Sequence, residues 1–126
     1  MNRVVITGMG WITPMGHAVE AVWKRLLAGE SGIAQTTIFD AGTFPTRISA
    51  EVKGFELDDH VPEADKHRKA GRSTQFALAA AQQAWAMSKL SSDKLDLDRV
   101  GVYFASGEGQ LDFAAYTTAA LSSWSE

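Results

Sequence analysis

Two short runs of apolar and β-branched residues stand out from the more polar sequence around them. Residues 4–7 (VVIT) run directly into Gly8 and Gly10, and residues 100–106 (VGVYFAS) run into a second glycine pair. Neither run alternates regularly between apolar and polar side chains, which is typical of strands covered on both faces. The pattern therefore predicts two buried strands, one at the start of the chain and one late in it.

Three other segments have the spacing of helices. Residues 18–27 repeat apolar side chains every three to four positions, and Gly29 follows them as the expected stop. Residues 73–89 carry alanines on more than one face, which favours a helix packed closely by its neighbours over one lying on the surface. A last apolar helix is expected to start near Asp112.

The stretch between the first two helices is irregular. Within residues 33–59, only residues 47–52 alternate well enough to predict a strand. Residues 58–72 form a polar, charged connection. The order strand, helix, irregular excursion, long helix, strand, helix is typical of an α/β layer structure. Since two or three strands make an incomplete sheet, we interpret residues 1–126 as part of a larger fold without an internal domain boundary.

Composition narrows the classes of function. A formal net charge of −3 argues against a nucleic-acid partner held by general electrostatics. The absence of cysteine excludes disulfides, cysteine-bound metals and a thiol nucleophile within these 126 residues. Neither a signal-peptide core nor a membrane span is visible, so a cytoplasmic protein without a membrane partner is expected.

The histidines give no metal site by their spacing. His17, His60 and His67 are widely scattered, and the last two lack the spacing of neighbours on one helix face. We interpret His17 as a surface or capping-region residue at the start of the first helix.

The first glycine cluster invites comparison with a dinucleotide-binding turn. Gly8 and Gly10 fit the start of G-x-G-x-x-G, but Thr13 stands where the third glycine belongs and Pro14 follows it. No G-K-[ST] sequence occurs either, so no nucleotide cofactor is predicted. The glycines are expected instead to let a buried strand turn tightly against its neighbours.

A different pattern accounts for this stretch. The sequence VVITGMGWITPMG (4–16), followed by VEAVWKRLLAGESGI (19–33), closely resembles the N-terminus of elongating β-ketoacyl-acyl-carrier-protein synthases. In that family a strand ending in T-G-x-G continues as x-x-[ST]-P-x-G and leads into a helix containing tryptophan. HRKAGRSTQFALAAAQQA (67–84) and VGVYFASGEG (100–109) extend the resemblance to essentially the whole chain. It implies the α/β thiolase-like fold, layered αβαβα, with only the first part of its N-terminal half in residues 1–126.

The resemblance also implies a decarboxylative Claisen condensation in fatty acid, polyketide or specialised lipid biosynthesis. An acyl group on a cysteine is joined to malonyl-carrier protein, with acyl and malonyl thioesters as substrates and no metal or other cofactor. The family's enzymes are cytoplasmic homodimers. The cysteine, two histidines and a lysine that carry the reaction are expected beyond Glu126, so this segment alone is predicted to be inactive.

One candidate site lies in the charged connection. Lys66, Arg68 and Lys69 form a basic run before the long helix. In the resembling family this stretch carries basic residues that meet the acidic recognition helix of the acyl carrier protein, and complementary charge favours such an encounter. A solvated helix start is the plainer interpretation of the same run.

A second candidate site is the loop Gly107, Glu108 and Gly109. The resemblance implies that this loop lies by the inner end of the acyl pocket and near the dimer interface, where relatives typically carry an apolar residue in place of Glu108. A carboxylate facing an alkyl chain is costly unless it is paired. Glu108 is therefore expected either to turn away to a partner or to make the pocket shorter or more polar.

Two other interpretations stay open from the sequence. A catalytically silent partner subunit of the chain-length-factor type shares the fold, pairs with an active subunit as a heterodimer, and differs at the nucleophile position. A free-standing, non-enzymatic binding module would use only the basic run. A monomeric, cooperatively melting 126-residue protein would favour that module, since a fragment with unpartnered strands is expected to aggregate.

Overall fold

A computed structural model describes residues 3–105 and 113–124. The helices in these ranges are α1 (Val19–Leu27), α2 (Arg72–Ser88) and α3 (Phe113–Trp124). Strands β1 (Ile33–Gln35) and β2 (Ile48–Ala50) form an antiparallel pair. Short 3-10 helices lie at Leu57–Asp59, Ala64–His67, Ser92–Lys94 and Leu97–Arg99. None of the helices in the described ranges is long and apolar enough to cross a membrane.

The positions of the helices confirm the predictions made from the spacing of apolar residues. Gly29, just after α1, has a φ of 72°, the left-handed conformation with which glycine commonly ends a helix. Lys89 directly follows the last residue of α2 and takes the same conformation with a φ of 55°. Among the alanines of α2, Ala79 is fully buried with 0% of its surface exposed, whereas Ala81 and Ala86 are exposed in the described residues.

The prediction of two buried strands is wrong for the described residues. Residues 4–7 belong to no strand, and Val4 and Ile6 are 94% and 87% exposed. Residues 100–105 are likewise unpaired, and Tyr103 is 100% exposed. An apolar, β-branched run favours an extended backbone, but a strand forms only beside another extended segment that completes its hydrogen bonds. Within the described ranges no segment takes that place.

The predicted strand at residues 47–52 is confirmed as β2, whereas its partner β1 lies in the stretch interpreted as irregular. Ile33 pairs with Ala50, and Gln35 pairs with Ile48. Each strand is three residues long, which is too short for an alternating pattern to be recognised.

The N-terminal segment, residues 3–12, lies against α2 at its two glycines. A Cβ atom on Gly8 would lie 2.1 Å from the carbonyl oxygen of Ala84, and one on Gly10 would lie 1.9 Å from that of Ala80. Only glycine permits so close an approach of two backbones. The glycines therefore serve close packing, as predicted, and the neighbour is a helix.

The following T-P-x-G sequence closes into a tight turn. Thr13 and Gly16 exchange backbone hydrogen bonds of 3.0 Å in both directions, and Gly16 has a φ of 141°. The backbone N–H of Met15 donates to the Thr13 hydroxyl over 3.2 Å. Three N–H groups that a phosphate cradle would leave free are therefore used inside the turn.

The core connects α2 with the loop that precedes it. Its buried members are apolar side chains from that loop and from the inner face of α2, namely Phe55, Leu57, Ala64 and Ala79. Partly buried side chains pack around them, namely Ile12, Val52, Val61 and Phe76. Because Ile12 belongs to the N-terminal segment, this core fixes that segment, the loop and α2 relative to one another.

Candidate functional site

The predicted basic run lies on the docking segment, which we define as residues 56–69, between β2 and α2. Leu57 and Ala64 anchor the two 3-10 helices of this segment in the core. Backbone hydrogen bonds close each turn, from Val61 to Leu57 over 3.0 Å and from Lys66 to Glu63 over 3.1 Å. Since the apolar anchors take up the inner side, the charged side chains of the segment are left at the surface.

Arg68 bridges the two 3-10 helices of the docking segment. Its Nε donates to Asp65 over 2.7 Å, and its Nη2 donates to Asp58, also over 2.7 Å. The hydrogen bond that Arg68 donates to Asp65, together with the charges of both carboxylates, raises the pKa of Arg68 above its usual value. Arg68 is therefore charged, but two carboxylates of its own segment accept its hydrogen bonds.

The other two basic residues of the run have different surroundings. Lys66 lies 2.8 Å from Glu63 in an exposed ion pair three residues apart in the sequence. Lys69 is exposed, and no ion pair to it occurs within residues 3–105 and 113–124. The run thus contains one bridged cation, one singly paired cation and one without an ion pair in the described part of the chain.

The docking segment as a whole is not a uniformly positive surface. Its sequence holds five acidic residues against three basic ones. The acidic residues are Glu56, Asp58, Asp59, Glu63 and Asp65. The sequence shows this mixture, but it does not show which acids neutralise which bases, because the Asp58–Arg68 contact depends on how the two 3-10 helices fold together.

A cluster of rings connects the docking segment with the start of α1, and residue spacing gives no sign of it. The ring centroid of His17 is 5.6 Å from that of Phe55 and 5.6 Å from that of His60, edge-on in both cases. Phe55 and His60 stack with centroids 5.1 Å apart and planes 10° apart. The guanidinium carbon of Arg72 lies 5.9 Å from the Phe55 centroid. His17 directly precedes Ala18, the N-cap of α1, as the capping-region interpretation expects, and it is half-buried by ring contacts that the sequence did not indicate.

The environment of His17 favours its neutral form. Burial lowers the pKa of this imidazole below its usual value, and the charges of His60 and Arg72 lower it further. A groove of about 470 Å³ opens beside the cluster, with Glu20 among the residues that line it. In the ranges that the structure describes, no three His, Cys, Asp or Glu side chains are placed to hold a metal ion together.

Gln83 holds this region to α2. Its Oε1 accepts a hydrogen bond from the backbone N–H of Trp11 over 3.3 Å, and its Nε2 donates to the carbonyl oxygen of His17 over 2.6 Å. One side chain of α2 therefore positions both the N-terminal segment and the start of the ring cluster.

Glu51 is a buried carboxylate at the end of β2 that organises the chain beyond β1. It accepts hydrogen bonds from the backbone N–H and the hydroxyl of Thr37 over 2.7 and 2.6 Å, and from the Ser49 hydroxyl over 3.0 Å. Lys53 lies 3.5 Å away. The hydrogen bonds from Thr37 are the main reason that the pKa of Glu51 is lowered to about 2.

The second predicted site cannot be placed on this structure. Gly107, Glu108 and Gly109 lie outside the described residues. The interpretation of this loop as a wall of the acyl pocket stays a prediction.

Comparison with known families places the whole chain in one group. The family described as "Beta-ketoacyl synthase, N-terminal domain" matches residues 1–124. The 3-oxoacyl-[acyl-carrier-protein] synthase 2 of Coxiella burnetii is 45% identical over 108 residues, which are 86% of this chain and 26% of the relative. The synthase of the same name from Vibrio cholerae is 42% identical over 111 residues, covering 88% of this chain and 27% of the relative. The chain thus spans about a quarter of the length of these curated relatives.

Solved structures show the same likeness. A β-ketoacyl synthase from Burkholderia phymatum matches with a TM-score of 0.74 and 30% sequence identity, over 98% of this chain and 31% of that protein. The ishigamide ketosynthase/chain length factor matches with a TM-score of 0.60 and 38% identity, over 72% of this chain and 22% of that protein. These neighbours confirm the α/β thiolase-like fold class, of which the described residues form a part.

Proposed function

This chain belongs to the β-ketoacyl synthase family, within its N-terminal domain, and we propose that the whole protein is a 3-oxoacyl-[acyl-carrier-protein] synthase. An acyl group held as a thioester on an enzyme cysteine is joined to malonyl-carrier protein. The malonyl carboxylate leaves as CO₂, the carbanion attacks the thioester carbonyl, and the cysteine thiol is released alongside the β-ketoacyl-carrier product. The observation that carries this proposal is the family match over residues 1–124.

In this proposal, residues 1–126 provide part of the scaffold, part of the acyl-pocket wall and the surface that binds the acyl carrier protein. They contain no cysteine, so the nucleophile belongs to another part of the protein. The unpaired apolar segments at residues 4–7 and 100–105 are proposed to be covered by the rest of the protein. The loop at Glu108 is proposed to form part of the acyl-pocket wall.

The docking segment is proposed to receive the acyl carrier protein through Lys66, Arg68 and Lys69. Three features support this role: the side chains are exposed, Leu57 and Ala64 anchor the segment that carries them, and Lys69 forms no ion pair in the described ranges. Positive charge on an anchored surface favours encounter with an acidic partner.

The oligomeric state, the cellular location and the pathway of the protein are also part of the proposal. The protein is proposed to act as a cytoplasmic homodimer in fatty acid biosynthesis, without a cofactor. The curated relatives carry the name of the condensing enzyme, which favours that activity over a chain-length-factor subunit. The length of those relatives disfavours a free-standing binding module of 126 residues.

Condensation by the purified full-length protein tests the proposal. Incubation with an acyl-carrier protein and malonyl-carrier protein should release CO₂ and form the β-ketoacyl product. Replacement of the proposed nucleophilic cysteine by alanine should stop acyl transfer to the enzyme. A full-length protein with another residue at that position, and with activity only beside a second subunit, would instead be a chain-length-factor partner.

A further inference from the structure

We propose that Asp58 and Asp65 limit the strength of carrier docking by holding Arg68 in an internal bridge. Lys69 then provides most of the available positive charge of the basic run. This inference rests on the proposed docking of the carrier at the docking segment, and it assigns to two acidic residues a role in setting that interaction.

Arg68 is held from both sides by carboxylates of its own segment. Arg68 donates to one carboxylate from each 3-10 helix, with 2.7 Å between the atoms in both cases. These are short, charge-assisted hydrogen bonds. A guanidinium with a carboxylate on either side carries a local net charge of −1, so an incoming acidic side chain meets repulsion before it can reach Arg68. To bind there, the partner must displace Asp58 or Asp65.

The lysines differ from Arg68 in their ion pairs. Lys66 shares a single exposed contact with Glu63, with both side chains about two-thirds exposed. Pairs of this kind are weak and exchange readily with another carboxylate. Lys69 has no pair to break within residues 3–105 and 113–124. The three cations therefore differ in availability in the order Lys69, Lys66, Arg68.

The size of the effect follows from the exposure of the bridge. All members of the bridge lie at the surface, with the Arg68 side chain 55% exposed and those of Asp58 and Asp65 49% and 89% exposed. Solvent weakens such pairs, so the bridge reduces docking without abolishing it. Release of Arg68 should lower the KM for carrier-bound substrate by about two- to fivefold, the factor that corresponds to an exposed ion pair.

The test uses the full-length protein, with KM measured for malonyl-carrier protein and turnover of a small thioester analogue measured in parallel. Asp58→Asn combined with Asp65→Asn keeps the shape of both side chains and removes their charges. This double variant should lower the KM for malonyl-carrier protein by about two- to fivefold. Turnover of the small thioester analogue is the reference for any general change in activity.

A second double variant is the matched control. Glu56→Gln combined with Asp59→Asn removes the same two charges from the same segment, and neither of these carboxylates forms an ion pair with Arg68 among the described residues. This control should lower the KM for malonyl-carrier protein distinctly less than the Asp58→Asn, Asp65→Asn double variant does. Equal decreases in the two double variants would overturn the proposal, because net charge alone would then explain both.

Arg68→Gln gives an independent measurement. In the wild-type background it should raise KM less than Lys69→Gln does, because the carrier makes little use of a bridged arginine. With Asp58→Asn and Asp65→Asn present, Arg68→Gln should remove the gain that those substitutions produced. If Arg68→Gln costs as much as Lys69→Gln in the wild type, the bridge does not limit docking and the inference fails, even where the double variants do not fold.

Failure of the docking proposal itself gives a different result. If Lys69→Glu, the double variants and Arg68→Gln all leave KM for the carrier unchanged, the carrier does not bind at the docking segment and the inference falls with it. If Lys69→Glu raises KM and the two double variants behave alike, docking stands and only the role of Asp58 and Asp65 is refuted.

Discussion

Gly10 lies so close to α2 that a Cβ atom on it would sit 1.9 Å from the carbonyl oxygen of Ala80. Gly8 makes the equivalent approach one helical turn along, at Ala84, where the distance would be 2.1 Å. The two glycines of the opening motif thus form one backbone-to-backbone contact with the long helix. This contact explains why a sequence that looks like part of a phosphate-binding turn serves the packing of the fold.

Gly10→Ala should therefore destabilise the full-length protein strongly. The new methyl group meets backbone atoms of α2, which cannot move aside as the end of a flexible side chain can. Overpacking of this kind costs about 1–3 kcal/mol, or more where the backbone cannot shift. Chemical denaturation with matched baselines measures the loss in the free energy of unfolding.

Gly54→Ala is the control for Gly10→Ala. Gly54 has open space around its Cα but a φ of 63°, so alanine there meets conformational strain without a clash. Its cost should be about 1 kcal/mol. A loss at Gly10 no larger than that at Gly54 would mean that the N-terminal segment can move away from α2.

Glu51 should make the stability of the protein sensitive to acid. Its folded-state pKa is about 2, below the usual value of 4.5, mainly because Thr37 donates two hydrogen bonds to the ionised form. A lowered carboxyl pKa contributes stability that is complete above about pH 4.5 and is lost as the pH falls towards 2. Glu51→Gln should remove this part of the pH dependence, and its melting temperature should approach that of the wild type as the pH falls.

Thermal melts between pH 7 and pH 2.5 measure this convergence. Glu20→Gln is the matched control, because it makes the same change at an exposed position on α1. The approach to the wild-type melting temperature at low pH should be distinctly larger for Glu51→Gln than for Glu20→Gln. An equal approach in the two variants would show that the hydrogen bonds from Thr37 do not favour the ionised carboxylate.

The sequence was most informative where a pattern repeats along one element. The apolar spacing of α1 and the alanines of α2 predicted both helices, and the Ile48–Ala50 strand was expected from a short alternation. Contacts between distant segments have no such periodic signal. The sequence places Asp65 three residues before Arg68, where a helical turn brings them together, but Asp58 reaches Arg68 only because two 3-10 helices fold against each other.

Features that depend on distant segments were not visible in the sequence. The apolar runs at residues 4–7 and 100–105 show that a segment is suited to burial, but they do not show what covers it. His17 and His60 lie far apart in the sequence, yet their rings contact each other and Phe55, which neither spacing nor composition could indicate. Both cases involve partners from other parts of the fold, whereas the correct predictions concern single elements.

The ring cluster should weaken in mild acid. The folded-state pKa of His17 is lowered, first by burial and then by His60 and Arg72, so protonation favours the unfolded chain. Glu20 is an acidic residue among those that line the adjoining groove. The contribution of neutral His17 to the free energy of unfolding is therefore complete above its usual pKa of 6.5. It is lost as the pH falls below that value.

His17→Gln tests this contribution by melting temperature between pH 8 and pH 5. The variant should lose less stability over that range than the wild type does. His67→Gln is the control, since His67 takes no part in the ring cluster. If His17→Gln and wild type lose stability in parallel, the imidazole is not titrating in a buried environment.

Glu108 should influence the length of the acyl chain if the loop forms part of the acyl pocket. A carboxylate against an alkyl chain is unfavourable unless it is paired, so Glu108→Ile should extend the range of accepted chains towards longer acyl groups. Rates measured with a series of acyl-carrier proteins of increasing chain length give the profile. An unchanged profile would remove Glu108 from the pocket wall.

Reversal of the basic run should weaken carrier docking selectively. Changing Lys66, Arg68 and Lys69 to glutamate replaces three positive charges by three negative ones on an anchored surface. An acidic partner is then repelled, so KM for carrier-bound substrate should rise about tenfold or more, since several like charges brought together cost several kcal/mol. Turnover of a small thioester, which has no acidic protein attached, should be spared.

The matched control reverses three cations at the opposite end of α2. Lys89, Lys94 and Arg99 follow the C-terminus of this helix, and a helix of 17 residues is about 25 Å long. That distance exceeds the screening length of about 8 Å at physiological salt, so their reversal should change the KM for carrier-bound substrate little.

Added salt should raise the wild-type KM for carrier-bound substrate. It should also narrow the difference in KM between the wild type and the variant with the basic run reversed. Equal losses with carrier-bound and small thioester substrates would show that the basic run supports the fold and does not bind the carrier.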